Sequence, residues 1–341
     1  MRAALLTASI RFAAFAGLFA ALAGSASAML DGSGDWPDSG PRGERVDVAT
    51  ASPFALYEVG RETGTIAAHV TFTPAIGADA DNPAPAVILL HGAGGVSGSR
   101  EGRYAREFAA QGVASAIVNV FAARNGGGFV ERLMRVTETM ALADAFAVKN
   151  WLAARPDIDG KRIAIIGFSY GGMSATYAAY NQVVEAFGED PFAGHVAFYA
   201  PCIARFEDNT TTGAPILMLW GERDEIVDPD MCLQTAQDLE AGGSSVEIER
   251  YDAGHRWDSR GRRWRAPAHI ADCRFRVGRD GAVRDENSFF VMDGPVSRAA
   301  ILAMCANREG FLIEPDEAIR LRSNAALAKF LNPILFPDAE D

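Results

Sequence analysis

The stretch Arg162-Ile163-Ala164-Ile165-Ile166-Gly167-Phe168-Ser169-Tyr170-Gly171-Gly172 decides how the rest of the chain is read. Its first half is an apolar, β-branched run suited to a buried strand, and the small-residue stretch after Gly172 suits a helix. A strand, a sharp turn and a helix with serine at the apex form the pattern of a nucleophile elbow. Gly167 and Gly171 flank Ser169 at two residues on either side, where a Cβ would obstruct the tight turn that exposes the hydroxyl. A glycine-rich turn with no chemistry is the plainer alternative. The strand before and the helix after favour a catalytic serine.

Working outward, apolar runs recur at Ile66–Thr73, Ala86–Leu90, Val113–Val120, His195–Ala200, Ile216–Trp220 and Val246–Tyr251. Between them lie helical patterns at Tyr104–Gln111, Glu131–Ala154, Gly171–Phe187 and Met231–Ala241, with Pro156 closing the second. Alternating apolar strands and helices predict an α/β fold with a mostly parallel sheet buried on both faces. The pattern predicts one domain over 61–341, preceded by an extended arm at 29–60 rich in Gly, Pro, Asp and Ser. The segment 256–295 breaks the rhythm as an irregular insertion with nine arginines between Arg256 and Arg284. Helices at Val296–Ala306 and Glu314–Leu331 finish the chain.

Composition bounds the function. The 341 residues are 49% hydrophobic and 22% charged, enough to bury a full core. A net charge of −12 argues against nucleic acid as a partner, because phosphate neutralisation needs basic clusters. Residues 1–28 read as a cleaved leader: Arg2 and Arg11, an apolar Phe12–Leu22, then Ala26-Ser27-Ala28. The apolar stretch is short for a membrane span, so export to the periplasm or medium without a stable anchor is expected, leaving a mature charge of −14. Cys202, Cys232, Cys273 and Cys305 all follow the leader, and an even count in an exported chain predicts two disulfides. Their spacing lacks a Cys/His cluster, so neither a metal nor an organic cofactor is expected.

A serine hydroxyl needs a base, and the base an orienting carboxylate. On this fold they follow in the order serine, acid, histidine, each just past a strand end. Asp224, after the strand Ile216–Trp220, is the expected acid, with Glu222, Glu225 and Asp228 as competitors in the same turn. Asp228-Pro229 reads instead as a helix start. Of five histidines, His255 alone follows a strand after the acid and is the expected base. His69 and His195 fall in strands, His91 in a glycine-rich loop and His269 in the insertion. The oxyanion needs preorganised donors, expected from the Tyr170 amide and from the loop His91–Gly95, with Ala93 ahead of Gly94. That loop lacks the lysine and spacing of a phosphate-binding loop.

Together these elements resemble the dienelactone hydrolase family of α/β-hydrolases, from about residue 60 onward. The resemblance rests on His91-Gly92-Ala93-Gly94-Gly95, on 167–172, on Gly221-Glu222-Arg223-Asp224, on Tyr251-Asp252-Ala253-Gly254-His255 and on Cys305–Gly310. It implies pairing of Cys202 with Cys232 and of Cys273 with Cys305. It also implies that Arg124, in Phe121-Ala122-Ala123-Arg124, binds an anionic group on the substrate; the alternative is a surface arginine. Two departures stand out. The best-known members carry cysteine where this chain has Ser169, and a glutamate in the oxyanion loop where it has Gly92. The expected function is therefore serine hydrolysis of a small-molecule ester or lactone, beyond dienelactones. A peptidase related to prolyl oligopeptidases could use the same triad, though no propeller domain is seen. An inactive binding protein on this fold would not need Ser169, Asp224 and His255 intact.

Overall fold

A computed structural model describes residues 29–337 except 62, 63, 125, 126 and 289, so the expected leader at 1–28 lies outside the described residues. The first nine strands are β1 (Glu44–Thr50), β2 (Ile66–Thr73), β3 (Ala84–Leu90), β4 (Ala114–Asn119), β5 (Ile158–Phe168), β6 (His195–Phe198), β7 (Ala204–Phe206), β8 (Ile216–Gly221) and β9 (Val246–Tyr251). All but β7 form one sheet in the order β1-β2-β4-β3-β5-β6-β8-β9. Every pair from β4 to β9 is parallel, and β2 alone runs against the rest, antiparallel to both of its neighbours, β1 and β4. The apolar runs explain this: all seven residues of β3 and all six of β8 are buried, as a sheet covered on both faces requires.

The covering helices are α1 (Glu101–Ala110), α2 (Phe129–Arg135), α3 (Glu138–Ala153), α4 (Tyr170–Tyr177), α5 (Asn181–Phe187), α6 (Pro229–Ala241), α7 (Pro295–Cys305) and α8 (Glu317–Leu335). On one face α3 packs on α4. On the other, α1 and α8 are joined through Arg320, which is fully buried and paired with Glu107, and through Arg103 to Glu317 at 2.7 Å. The chain leaves β3 in one direction to reach β4 and returns past it to β5, so the strand order reverses between β3 and β5. Loops at the carboxyl ends of two such strands diverge and open a crevice.

Four expectations change in detail. The arm at 29–60 carries β1, paired along its whole length with β2. The helix expected over Glu131–Ala154 is two helices, broken at Val136-Thr137, where the Thr137 hydroxyl caps α3 by accepting from the Met140 amide at 3.3 Å. That expected over Gly171–Phe187 divides likewise into α4 and α5. The segment 256–295 is not irregular throughout. It contributes β10 (Trp264–Ala266), β11 (Phe275–Val277), β12 (Val283–Asp285) and β13 (Val291–Met292), and β14 (Phe311–Ile313) follows α7. β10 pairs with β14, and β7 with β11, β12 and β13 forms a third sheet.

Disulfides Cys202–Cys232 and Cys273–Cys305 tie, respectively, the loop after β6 to α6 and the insertion to the end of α7. Among the described residues no helix is long and apolar enough to cross a membrane. The arginines of the insertion are largely spent on acidic neighbours: Arg263 on Glu314, Arg265 on Glu225, Arg274 on Asp228, Arg276 on Glu286, Arg279 on Asp208 and Arg284 on Asp280.

Candidate active site

β5 ends at Phe168 and α4 begins at Tyr170, leaving Ser169 alone to make the turn at φ 55° and ψ −113°. A non-glycine residue is rarely found there, and the geometry holds because the neighbours are glycines in very close packing. A Cβ at Gly167 would lie 2.0 Å from the Gly171 carbonyl oxygen, and one at Gly171 would lie 2.2 Å from the Leu90 oxygen. The turn is therefore wedged between β3 and its own helix. The Ser169 amide donates to the Phe198 carbonyl at 2.8 Å, which fixes it against β6 as well.

His255 reaches this turn from the loop after β9. Its Nδ1 lies 2.7 Å from Asp224 Oδ2 and its Nε2 lies 3.0 Å from Ser169 Oγ. An ionised carboxylate only accepts, so Nδ1 carries the proton and Nε2 is left to accept from the serine hydroxyl. Asp224 Oδ1 accepts the Ile226 amide at 3.0 Å, which orients the carboxylate. The histidine and aspartate side chains are 2% and 0% exposed, so both hydrogen bonds are shielded from water. The imidazole is further held edge-on by Tyr199 and Phe311, at ring separations of 4.7 and 5.0 Å. Of the competing acids, Glu222 is exposed, Glu225 pairs with Arg265, and Asp228 caps α6 through the Asp230 and Met231 amides.

The loop after β3 faces the same serine. A Cβ on Gly92 would come within 3.3 Å of the Ser169 Cβ, so a larger residue at 92 would press directly on that side chain. The Gly92 carbonyl accepts from His91 Nδ1 at 2.9 Å and from the Gly95 amide at 2.9 Å, while Arg132 donates to the Gly94 carbonyl at 3.1 Å. With its carbonyls tied back, the loop leaves the Ala93 amide without a backbone acceptor among the described residues. Tyr170 opens α4, where the first amides of a helix lack intrahelical partners. Ala93 and Tyr170 both line a cavity that contains Ser169.

Two cavities meet at Ser169. One is walled by Leu133, Tyr170, Met173, Ile226, His269 and Phe311. The other is walled by Gly92, Arg100, His255, Arg256, Trp264 and Ile313. Arg124 lines neither. Its guanidinium is bound by Asp144 at 2.7 and 3.0 Å, by Ser52 Oγ and by the carbonyls of Val120, Ala51 and Met140. All five of its donors face these groups, so the expected substrate contact is replaced by a buried structural ion pair.

Several residues at the site carried no sequence signal. Tyr199, at φ 39°, donates to Asp258 Oδ1 at 2.6 Å and accepts from Arg100 at 3.3 Å, with Arg100 also paired to Glu101. Burial holds the Tyr199 phenol well above its usual range and pushes the Asp258 carboxyl up against the pull of Arg100. The place of Tyr199 one residue past a parallel strand was the available hint. Arg100 and Asp258 had none, since their partners lie far away in the chain. Two further histidines lie away from Ser169: His69 pairs with Asp47 across β1 and β2, and His195 is buried, with Nδ1 2.9 Å from the Ala175 carbonyl. Among the described residues no group of three or more His, Cys, Asp or Glu side chains could hold a metal ion.

Residues 73–274 match the family model described as the dienelactone hydrolase family. No curated protein matches the chain. Similar solved structures include a Klebsiella pneumoniae subsp. pneumoniae protein described as a dienelactone hydrolase, at 24% identity and a TM-score of 0.45, over 62% of this chain and 88% of that one. Esterase Est2 of the planctomycete Thermogutta terrifontis is similar at 17% identity and a TM-score of 0.46, over 62% and 86%. A dienelactone hydrolase-like promiscuous phosphotriesterase from metagenomic libraries is similar at 17% and 0.46, over 64% and 85%.

Proposed function

The chain belongs to the dienelactone hydrolase family and is a carboxylic ester hydrolase, and from that premise we propose that it cleaves esters or lactones through an acyl-enzyme on Ser169. The Ser169 hydroxyl attacks the substrate carbonyl carbon as its proton passes to His255 Nε2. The carbonyl oxygen gains charge and accepts hydrogen bonds from the Ala93 and Tyr170 amides. Asp224 holds the imidazole tautomer and stabilises the imidazolium. Collapse breaks the carbon–oxygen bond of the ester, and His255 gives its proton to the departing alkoxide. Water, deprotonated by the same histidine, then releases the acid and restores the serine. What carries this reading is the continuous pair of hydrogen bonds at 2.7 and 3.0 Å through His255, between residues from three separate strand ends.

The mechanism assigns the two cavities. The leaving alkoxide must sit beside the histidine that protonates it, so the alcohol occupies the cavity lined by His255 and Arg256. The acyl group occupies the cavity lined by Tyr170 and His269. On the alcohol side Arg256 adopts φ 68°, and its Nε is buried with no hydrogen-bond partner among the described residues. Burial and the neighbouring Arg100 charge both oppose its ionisation. An anionic group on the alcohol would relieve both effects, so we assign the preference for an anionic substrate to Arg256.

Export remains part of this proposal: the leader-like sequence of residues 1–28 and the two disulfides support a periplasmic or secreted enzyme.

Steady-state hydrolysis of matched esters with carboxylated and neutral alcohols tests the reading. Ser169→Ala should abolish turnover of both. Arg256→Gln should lower kcat/KM for the carboxylated ester selectively. Full activity in Ser169→Ala defeats the catalytic assignment, and equal effects on the two esters defeat the anionic one.

A further inference from the structure

His269 is the histidine at the site that the reaction does not use. Its ring lines the acyl cavity together with Ser169, in walls that include Phe129, Leu133, Met173, Ile226 and Phe311. It is 7% exposed, and its ring meets Phe311 edge-on at 6.2 Å. The segment is held on all sides. The His269 amide donates to the Asn307 carbonyl at 3.0 Å, the Asn307 amide returns the bond at 2.9 Å, and Cys273–Cys305 links the same two stretches of chain.

The chemistry of the ring follows from its contacts. Nδ1 accepts the Ala271 amide at 3.2 Å, so in the neutral ring the proton resides on Nε2. The one hydrogen bond of the ring among the described residues is at Nδ1, and Nε2 is not among the side-chain atoms sealed from solvent without a partner, so it opens to accessible space. Burial lowers the affinity of the ring for a second proton, which keeps it neutral and Nε2 a donor only. Away from the amides beside Ser169, an apolar pocket with a fixed, unpaired side-chain donor discriminates by what it leaves unpaired. A plain alkyl chain strips water from Nε2–H and gives nothing back, whereas an oxygen at that position accepts its bond.

Resting on the acyl-enzyme reading above, we propose that His269 is a specificity-determining residue whose Nε2–H donates to an oxygen acceptor in the acyl group. The enzyme thereby selects acyl groups bearing an ether, keto or hydroxyl oxygen over alkyl groups of the same length. The recognition acts on the acyl half of the ester and is independent of Arg256 on the alcohol half.

The test uses p-nitrophenyl esters of straight-chain alkanoic acids and of the same acids with one methylene replaced by oxygen at successive positions. Because the leaving group is constant, only acyl recognition varies. Relative to the intrinsic hydroxide-catalysed rates, the wild-type kcat/KM should favour one oxygen position by about three- to tenfold, the worth of one net hydrogen bond. His269→Phe should erase that preference, so that alkanoates and their oxygen-bearing counterparts of the same length react with equal relative kcat/KM. His269→Gln, whose amide NH2 can stand near Nε2, should restore part of it. A wild-type enzyme with no oxygen preference overturns the proposal whatever the variants do, and so does a preference that survives in His269→Phe. Ser169→Ala run alongside separates the failures: activity retained there strikes the mechanism, whereas Ser169-dependent activity indifferent to acyl oxygen strikes only the role of His269.

Discussion

Replacing Arg124 with methionine should damage stability and leave selectivity alone. The guanidinium and the Asp144 carboxylate are 7% and 0% exposed and meet in a two-pronged pair at 2.7 and 3.0 Å. Arg124→Met strands a buried carboxylate and takes a donor from the carbonyls of Val120, Ala51 and Met140. Breaking a buried pair from one side costs about 3–5 kcal/mol. A folded chain of ~310 residues unfolds with an entropy of about 0.65 kcal/mol/K, so Tm should fall by about 5–8 °C. The double variant Arg124→Met/Asp144→Leu removes both charges together and should recover most of that loss. Calorimetry gives the Tm values, and kcat/KM for carboxylated and neutral esters, taken well below the transition, gives selectivity. The ratio of the two rates should match wild type in both variants. A Tm within about 1 °C of wild type, with a selective loss on carboxylated esters, would refute the structural role and return Arg124 to the substrate.

Three further outcomes follow from buried groups. Burial lowers His195 from 6.5 to about 4, so between those values the unfolded chain binds more protons; stability is full above about 6.5 and is lost as pH falls towards 4. Urea unfolding should show about 2 kcal/mol less stability at pH 5 than at pH 7 from this residue, and His195→Asn, which keeps a donor for Ala175, should flatten that slope; an unchanged slope contradicts it. Removing Cys273–Cys305 with serines opens a link spanning 32 residues, worth about 3.7 kcal/mol of loop entropy. Because Ala268, His269 and Ile270 wall the acyl cavity, the same variant should lower kcat/KM, whereas loss of stability with unaltered kinetics would show that the cavity wall does not depend on the link. Gly171→Ala places a Cβ against the Leu90 carbonyl, so it should abolish activity and yield little folded protein; an active, stable variant would mean that the turn is not wedged as described.

The elbow and the residues around it were legible because each stands just past an apolar strand. Ser169, Asp224 and His255 follow β5, β8 and β9, and parallel strands deliver their carboxyl ends to one edge of the sheet. What stayed hidden depends on partners far away in the chain or on segments too short to show a period. β1 alternates over only seven residues in a Gly- and Pro-rich arm, and three of the four strands of the insertion span three residues each. The break between α2 and α3 falls at Val136-Thr137, where no glycine or proline announces it. Arg124 was read by its motif, whereas its role is set by Asp144, a residue inside a helix that sequence alone gives no reason to pair with it. His269 was set aside as one residue of an arginine-rich stretch; only the pairing of that stretch with Asn307 brings its ring to Ser169.

The central claim is that Ser169 is the nucleophile, and covalent labelling with a fluorophosphonate tests it most directly. Intact-protein mass spectrometry should show one adduct per chain, peptide mapping should place it on Ser169, and the rate should collapse in His255→Ala. Absence of labelling in the folded wild-type enzyme, or an undiminished adduct in Ser169→Ala, would contradict the account.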